Sequence, residues 1–129
     1  MGFSPWANKP APVDADVCLF RDTTLQPFLP LSQIVRQVRE AGGIPLVKTN
    51  VPQNLANYEC SNPLWGVTKN PYNVKYTPGG SSGGEGALLA MGGSAIGWGS
   101  DIGGSIRIPS HFCGPYGFKP GSGRVGYRG

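Results

Sequence analysis

A chain of 129 residues with a net charge of +4, from eleven Lys/Arg and seven Asp/Glu, suits one small domain or a piece of a larger one. Its basic residues are scattered and form no run, which argues against a nucleic-acid partner, and its longest apolar stretches are far too short to span a bilayer. Cys18, Cys60 and Cys113 lack any C-x-x-C spacing, which points away from a disulfide framework or a zinc site and toward a reduced, cytoplasmic setting.

The first 31 residues hold five prolines and little periodicity and read as irregular. Met1 is followed by GFSPWANKPAP, which has neither the basic start nor the apolar run of a secretory signal. In SQIVRQVREAGG, Ile34, Val35 and Val38 recur at helical spacing, with Ser32 as the cap and Gly42–Gly43 as terminator. IPLVKT at 44–49 then reads as a short buried strand, and a helix followed at once by a strand suggests an α/β fold. Residues 50–78 form a long connection with turn signals at Asn62-Pro63 and Asn70-Pro71; its aromatics, Tyr58, Trp65, Tyr72 and Tyr76, argue for a packed, functional loop. The glycine-serine run beginning at Gly79 opens a helix over about 84–91, SAIGWGS at 94–100 reads as a strand, a helical turn follows near 106–112, and an apolar segment occupies 116–120. Seventeen of the 21 glycines lie in 79–129 among Leu, Ile, Trp, Phe and Tyr, the pattern of tight turns joining buried elements.

Four chemistries compete for this half of the chain. A P-loop requires a G-K-[S/T] end that is absent. Gly97-Trp98-Gly99 approximates a dinucleotide fingerprint, but the third glycine comes at 103, one residue late. Gly79-Gly80-Ser81-Ser82-Gly83 matches the letters of a hydrolase nucleophile elbow. The run-up to it is broken by Pro78, however, and His111, the sole histidine, reads as a satisfied, half-buried helix residue. The fourth reading joins both serine stretches. A serine hydroxyl needs a base to become a nucleophile, a lysine of lowered pKa can be that base, and a second serine can relay the proton. Glycines then turn successive N–H groups toward a developing oxyanion and let the relay serine adopt a cis peptide.

YTPGGSSGGEGALLAMGGSAIGWGSDIGGSIRIPSHFCGPYGFKP, with KTNVPQ and NPLWGVTKNPYN before it, resembles the amidase signature family over residues 41–129. The likeness is to its fungal acetamidase and fatty-acid-amide-hydrolase-like members. The resemblance implies an α/β fold, a mixed sheet flanked by helices, of which this chain carries the central signature portion, with 79–120 its core. It implies an amidase that cleaves a small-molecule or lipid carboxamide through an acyl-serine, using no cofactor or metal. Ser105 would be the nucleophile, Ser81 the cis-peptide relay, and the N–H groups of Ile102, Gly103, Gly104 and Ser105 the oxyanion hole. Ser82 and Ser100 would hydrogen-bond around the site, and Asp101 and Arg107 would brace the loop.

Two departures from the family pattern stand out. The family's catalytic lysine lies in a V-K-[D/E] segment upstream of the relay serine. No such segment occurs here, and Lys48, in VKTN, matches a later, non-catalytic strand, so the chain is expected to begin just after its base. Residues 18–33, CLFRDTTLQPFLPLSQ, interrupt a stretch that family members run straight through and read as an insertion, a translated intron or mis-assigned exon. The alternative functional reading is therefore a catalytically inactive fragment or faulty gene product of such an amidase.

Overall fold

The computed structural model describes residues 33–125, which fall into two compact units, 33–48 with 120–125, and 49–119. Segment 1–31, expected to be irregular, the expected cap Ser32 and all but the last residue of the expected insertion lie outside the described residues.

In the first unit, α1 spans Gln33–Glu40. Its apolar stripe, Ile34, Val35 and Val38, is half-buried while Arg36, Gln37, Arg39 and Glu40 face out, as the spacing predicts. Gly42, at φ +85°, ends the helix: its N–H donates to Arg39 O at 2.9 Å and that of Gly43 to Val38 O at 2.8 Å. The strand expected over 44–49 does not form a ladder. Ile44, Leu46 and Val47 are 80%, 60% and 55% exposed, because an apolar run becomes a strand only where another strand accepts its backbone bonds.

The second unit begins with the long connection, which is ordered by polar side chains rather than by the aromatic packing expected: Tyr58, Trp65, Tyr72 and Tyr76 are all exposed. A 3₁₀ turn at Gln53–Leu55 precedes a two-stranded antiparallel ladder, β1 (Ser61–Asn62) against β2 (Gly66–Val67), with Ser61 opposite Val67. Asn62 makes the reversal: its Oδ1 accepts the N–H groups of Leu64 and Trp65 at 3.0 and 2.8 Å, an Asx turn. Its Nδ2 donates to Val51 O at 2.8 Å, which pins the ladder to residues 50–51.

Two helices follow, α2 (Gly83–Ala90) and α3 (Arg107–Cys113), and they pack on each other. Glycine in a helix interior costs about 1 kcal/mol relative to alanine. Here the loss is offset by close approach. A Cβ on Gly83 would sit 2.5 Å from Cys60 Cβ, and one on Gly86 would meet Pro109 Cβ at 2.9 Å. The first turn of α2 is thus the point where the connection, through Cys60, and α3, through Pro109, come together. Pro109 and Cys113 form the buried face of α3, with Pro109 in the first turn, where its missing N–H is harmless. The strand expected at 94–100 does not form: among the described residues the segment pairs with no other strand and bends at Ala95.

Candidate active site

Loop 78–82 is built from beneath. The buried Asn70 donates to Thr77 O at 3.2 Å and Phe112 O at 2.9 Å, tying the approach to the end of α3. Cys113 Sγ donates to Pro78 O at 3.4 Å, and Gly79 N–H donates to Thr77 Oγ1 at 3.0 Å. Gly80 lies against the carbonyls of Glu59 and Asn57, where a Cβ would approach to 2.5 and 2.7 Å. The Gly80–Ser81 peptide is cis, and Ser81 is 2% exposed.

Loop 100–107 is organised by one carboxylate. Asp101 Oδ1 accepts from Gly104 N–H at 2.7 Å and from Arg107 Nη2 at 2.9 Å. Its Oδ2 accepts from the N–H groups of Ile106 and Arg107 at 3.0 and 3.1 Å and from Arg107 Nε at 3.1 Å. The Asp101 side chain is fully covered, whereas that of Arg107 remains 56% exposed. The Arg107 guanidinium, helped by the three backbone donors, holds the Asp101 carboxyl well below the usual carboxylate range, against the opposing effect of burial. Gly104, at φ +126°, makes the sharp turn that brings its N–H back onto Asp101.

The two loops meet directly: Ser82 N–H donates to Ser105 O at 3.0 Å. Ser81 Oγ and Ser105 Oγ are not hydrogen-bonded to each other among the described residues, and Ser100 is half-buried without a hydrogen bond there. Of the four amides expected around an oxyanion, Gly104's is committed to Asp101, while those of Ile102, Gly103 and Ser105 have no protein acceptor among the described residues. A cavity of about 490 Å³ opens beside Gly103 and Gly104, walled by Tyr58, Ile108, His111 and Phe112. His111 is exposed rather than half-buried, its ring tilted at 52° to that of Phe112 with centroids 5.9 Å apart. The correction follows from helix geometry: with Pro109 and Cys113 inward, the residue two past Pro109 points away from the core. Lys48 lies in the other unit. Among the described residues no group of three His, Cys, Asp or Glu side chains is gathered as a metal site would need, and no helix is long and apolar enough to cross a membrane.

Sequence reasoning passed over Asn70 and Glu85. Asn70 reads only as a turn residue before proline, and nothing in the sequence marks it as the tie between the connection and α3. Glu85 accepts a hydrogen bond from Thr49 Oγ1 at 2.7 Å and another from Trp98 N–H at 3.1 Å. Its spacing from Ser82, S-x-x-E, is the sequence signal that could have singled it out.

The family model described as Amidase matches residues 27–129. The chain belongs to the amidase family. It is 58% identical over 94 residues to Amidase 1 of Gibberella moniliformis, an alignment covering 73% of this chain and 18% of that protein. It is 55% identical over 96 residues to fatty-acid amide hydrolase 1 of Sus scrofa, covering 74% and 17%. A crystal structure of an amidase superposes with a TM-score of 0.75 at 41% identity, over 80% of this chain and 24% of that one. A fatty acid amide hydrolase structure does so at 0.68 and 45%, over 73% and 17%. These neighbours make the fold class α/β, as expected, and the chain spans less than a fifth of the length of these curated relatives.

Proposed function

We propose that the protein is an amide hydrolase in which Ser105 is the nucleophile, acting on a small-molecule or lipid carboxamide. Ser105 Oγ attacks the carboxamide carbon as its proton passes to Ser81 Oγ and on to a base. The carbonyl oxygen becomes an oxyanion held by the N–H groups of Ile102, Gly103 and Ser105. Collapse breaks the C–N bond, the leaving amine takes up the proton, and water then releases the acid from acyl-Ser105. Gly104 drops out of the expected oxyanion hole, because one N–H does not serve Asp101 at 2.7 Å and an oxyanion at once. Its part is to complete the Asp101 brace, with Arg107 as the outer strut. Ser82 ties the loops through its backbone, and Ser100 is left as a polar neighbour.

The observation that carries this reading is the junction of the two serine loops, Ser82 N–H to Ser105 O, with three neighbouring amides left over. In this reading the base is a lysine, for which these 129 residues contain no V-K-[D/E] segment. Buried thiols at Cys60 and Cys113 that donate to Asn50 O and Pro78 O support an intracellular, reducing setting.

A fluorophosphonate probe tests the nucleophile. We expect labelling on the Ser105 peptide that Ser105→Ala abolishes and Ser81→Ala slows by about 10²-fold or more. Labelling that survives Ser105→Ala would refute the assignment. The absence of a V-K-[D/E] segment from these residues favours a second reading, in which the chain by itself is inactive; folded protein that takes no label and turns over no amide would support it over the first.

A further inference from the structure

Ser82 stands at the cap of α2 and Glu85 at its third residue. At this S-x-x-E spacing the two side chains ordinarily close on each other's backbone N–H groups and finish the helix end. Neither bond is made. The Ser82 side chain caps nothing, the Ser82 N–H donates to Ser105 O, and the Glu85 carboxyl oxygens take Thr49 Oγ1 and Trp98 N–H. The capping groups of α2 are spent on the loop that carries Ser105.

The placement has a consequence for that loop. Segment 97–99 lies hard against the first turn of α2: a Cβ on Gly97 would meet Glu85 Oε1 at 2.5 Å, and one on Gly99 would meet Ser82 Oγ at 2.6 Å. Residue 98 is therefore anchored through Glu85 and residue 105 through Ser82, both to the same helical turn. Between them, Asp101 fixes the internal shape of the loop but not its position on the helix. Glu85 also reaches Thr49, so the same side chain holds residue 49 and residue 98 in one register.

We propose that Glu85 is a positioning residue for the nucleophile loop, setting where residues 98–101 enter it and hence where the amides of Ile102, Gly103 and Ser105 point. The proposal rests on the reading of Ser105 as nucleophile. Oxyanion geometry tolerates little error, since displacements near 1 Å cost about 10²-fold in rate.

The test compares Glu85→Ala and Glu85→Gln. Glu85→Ala is expected to slow fluorophosphonate labelling of Ser105 by about 10- to 100-fold, in the bond-forming constant rather than in probe affinity. Amide exchange over 97–105 should accelerate at least about tenfold while the last turn of α3 stays protected. Glu85→Gln keeps an acceptor for Trp98 N–H and should recover most of the labelling rate. Three results would each overturn the proposal: labelling of Glu85→Ala within about threefold of the parent, equal losses in the Ala and Gln variants, or exchange rising as much in α3 as in 97–105. Should the parent chain take no label, the chain is inactive by itself, as in the second reading above, and the exchange comparison then decides alone whether Glu85 holds the loop.

Discussion

Replacing Asp101 by asparagine keeps the shape of the side chain and removes one acceptor oxygen. If the amide oxygen stays at the Oδ2 position, it retains the N–H groups of Ile106 and Arg107 and Arg107 Nε. The new NH₂ group then faces two donors, Gly104 N–H and Arg107 Nη2, which formerly lay 2.7 and 2.9 Å from Oδ1. Gly104 is buried, so its stranded N–H costs about 1–3 kcal/mol, whereas Arg107 is exposed enough for water to take over and adds nothing that we count. Loss of charge from the remaining three bonds brings the expected total to about 2–4 kcal/mol. With a urea dependence of about 1–3 kcal/mol per M, the unfolding midpoint read by tryptophan fluorescence should fall by about 1–2 M at pH 7. The pH dependence has a definite sign. Because the folded Asp101 carboxyl lies below its unfolded value, its contribution is fully present above about pH 4 and is lost as the pH falls toward the folded pKa. The gap between parent and variant should therefore be constant from neutral pH down to about 5 and narrow below about 4. A midpoint change under about 0.3 M, or a gap that widens in acid, would refute the idea that this carboxylate organises the loop.

Two further outcomes follow from the packing. Gly84→Ala places a Cβ against the backbone N and O of Asn50, atoms that cannot yield, and should destabilise the fold by about 3 kcal/mol; Gly42→Ala has open space and should cost only about 1–2 kcal/mol for its positive φ, both read by urea titration. Burial pushes the Cys60 and Cys113 thiols up, so an aromatic disulfide reagent at pH 8 should modify them at least about 100-fold more slowly in the native protein than in urea. Rapid native reaction at either position would contradict the burial.

Local sequence fixed the elements whose stability is local. The spacing in 33–40, terminated by the glycines at 42–43, is enough to define α1, and the two later helices begin within a residue of the starts expected near 84 and 106. The brace at Asp101 is local as well, since its partners lie three, five and six residues on. The apolar runs at 44–49 and 94–100 failed as strands for the opposite reason: a strand is completed by backbone groups supplied from elsewhere, and composition cannot provide them. The β1–β2 ladder was foreshadowed by Asn62-Pro63 but needed Asn50 and Val51 beneath it.

The serine loops divide the same way. The residues alone named Ser81 and Ser105, because hydroxyls set among glycines at that spacing resemble one family. Only the tertiary structure decided that Ser82 N–H reaches Ser105 O and that Glu85 leaves its own helix cap for Thr49 Oγ1 and Trp98 N–H. Each of those N–H groups has several acceptors within the reach of a flexible chain. Which acceptor is taken depends on how closely α2 and the neighbouring segments approach, and the glycines at 83, 84 and 86 set that distance.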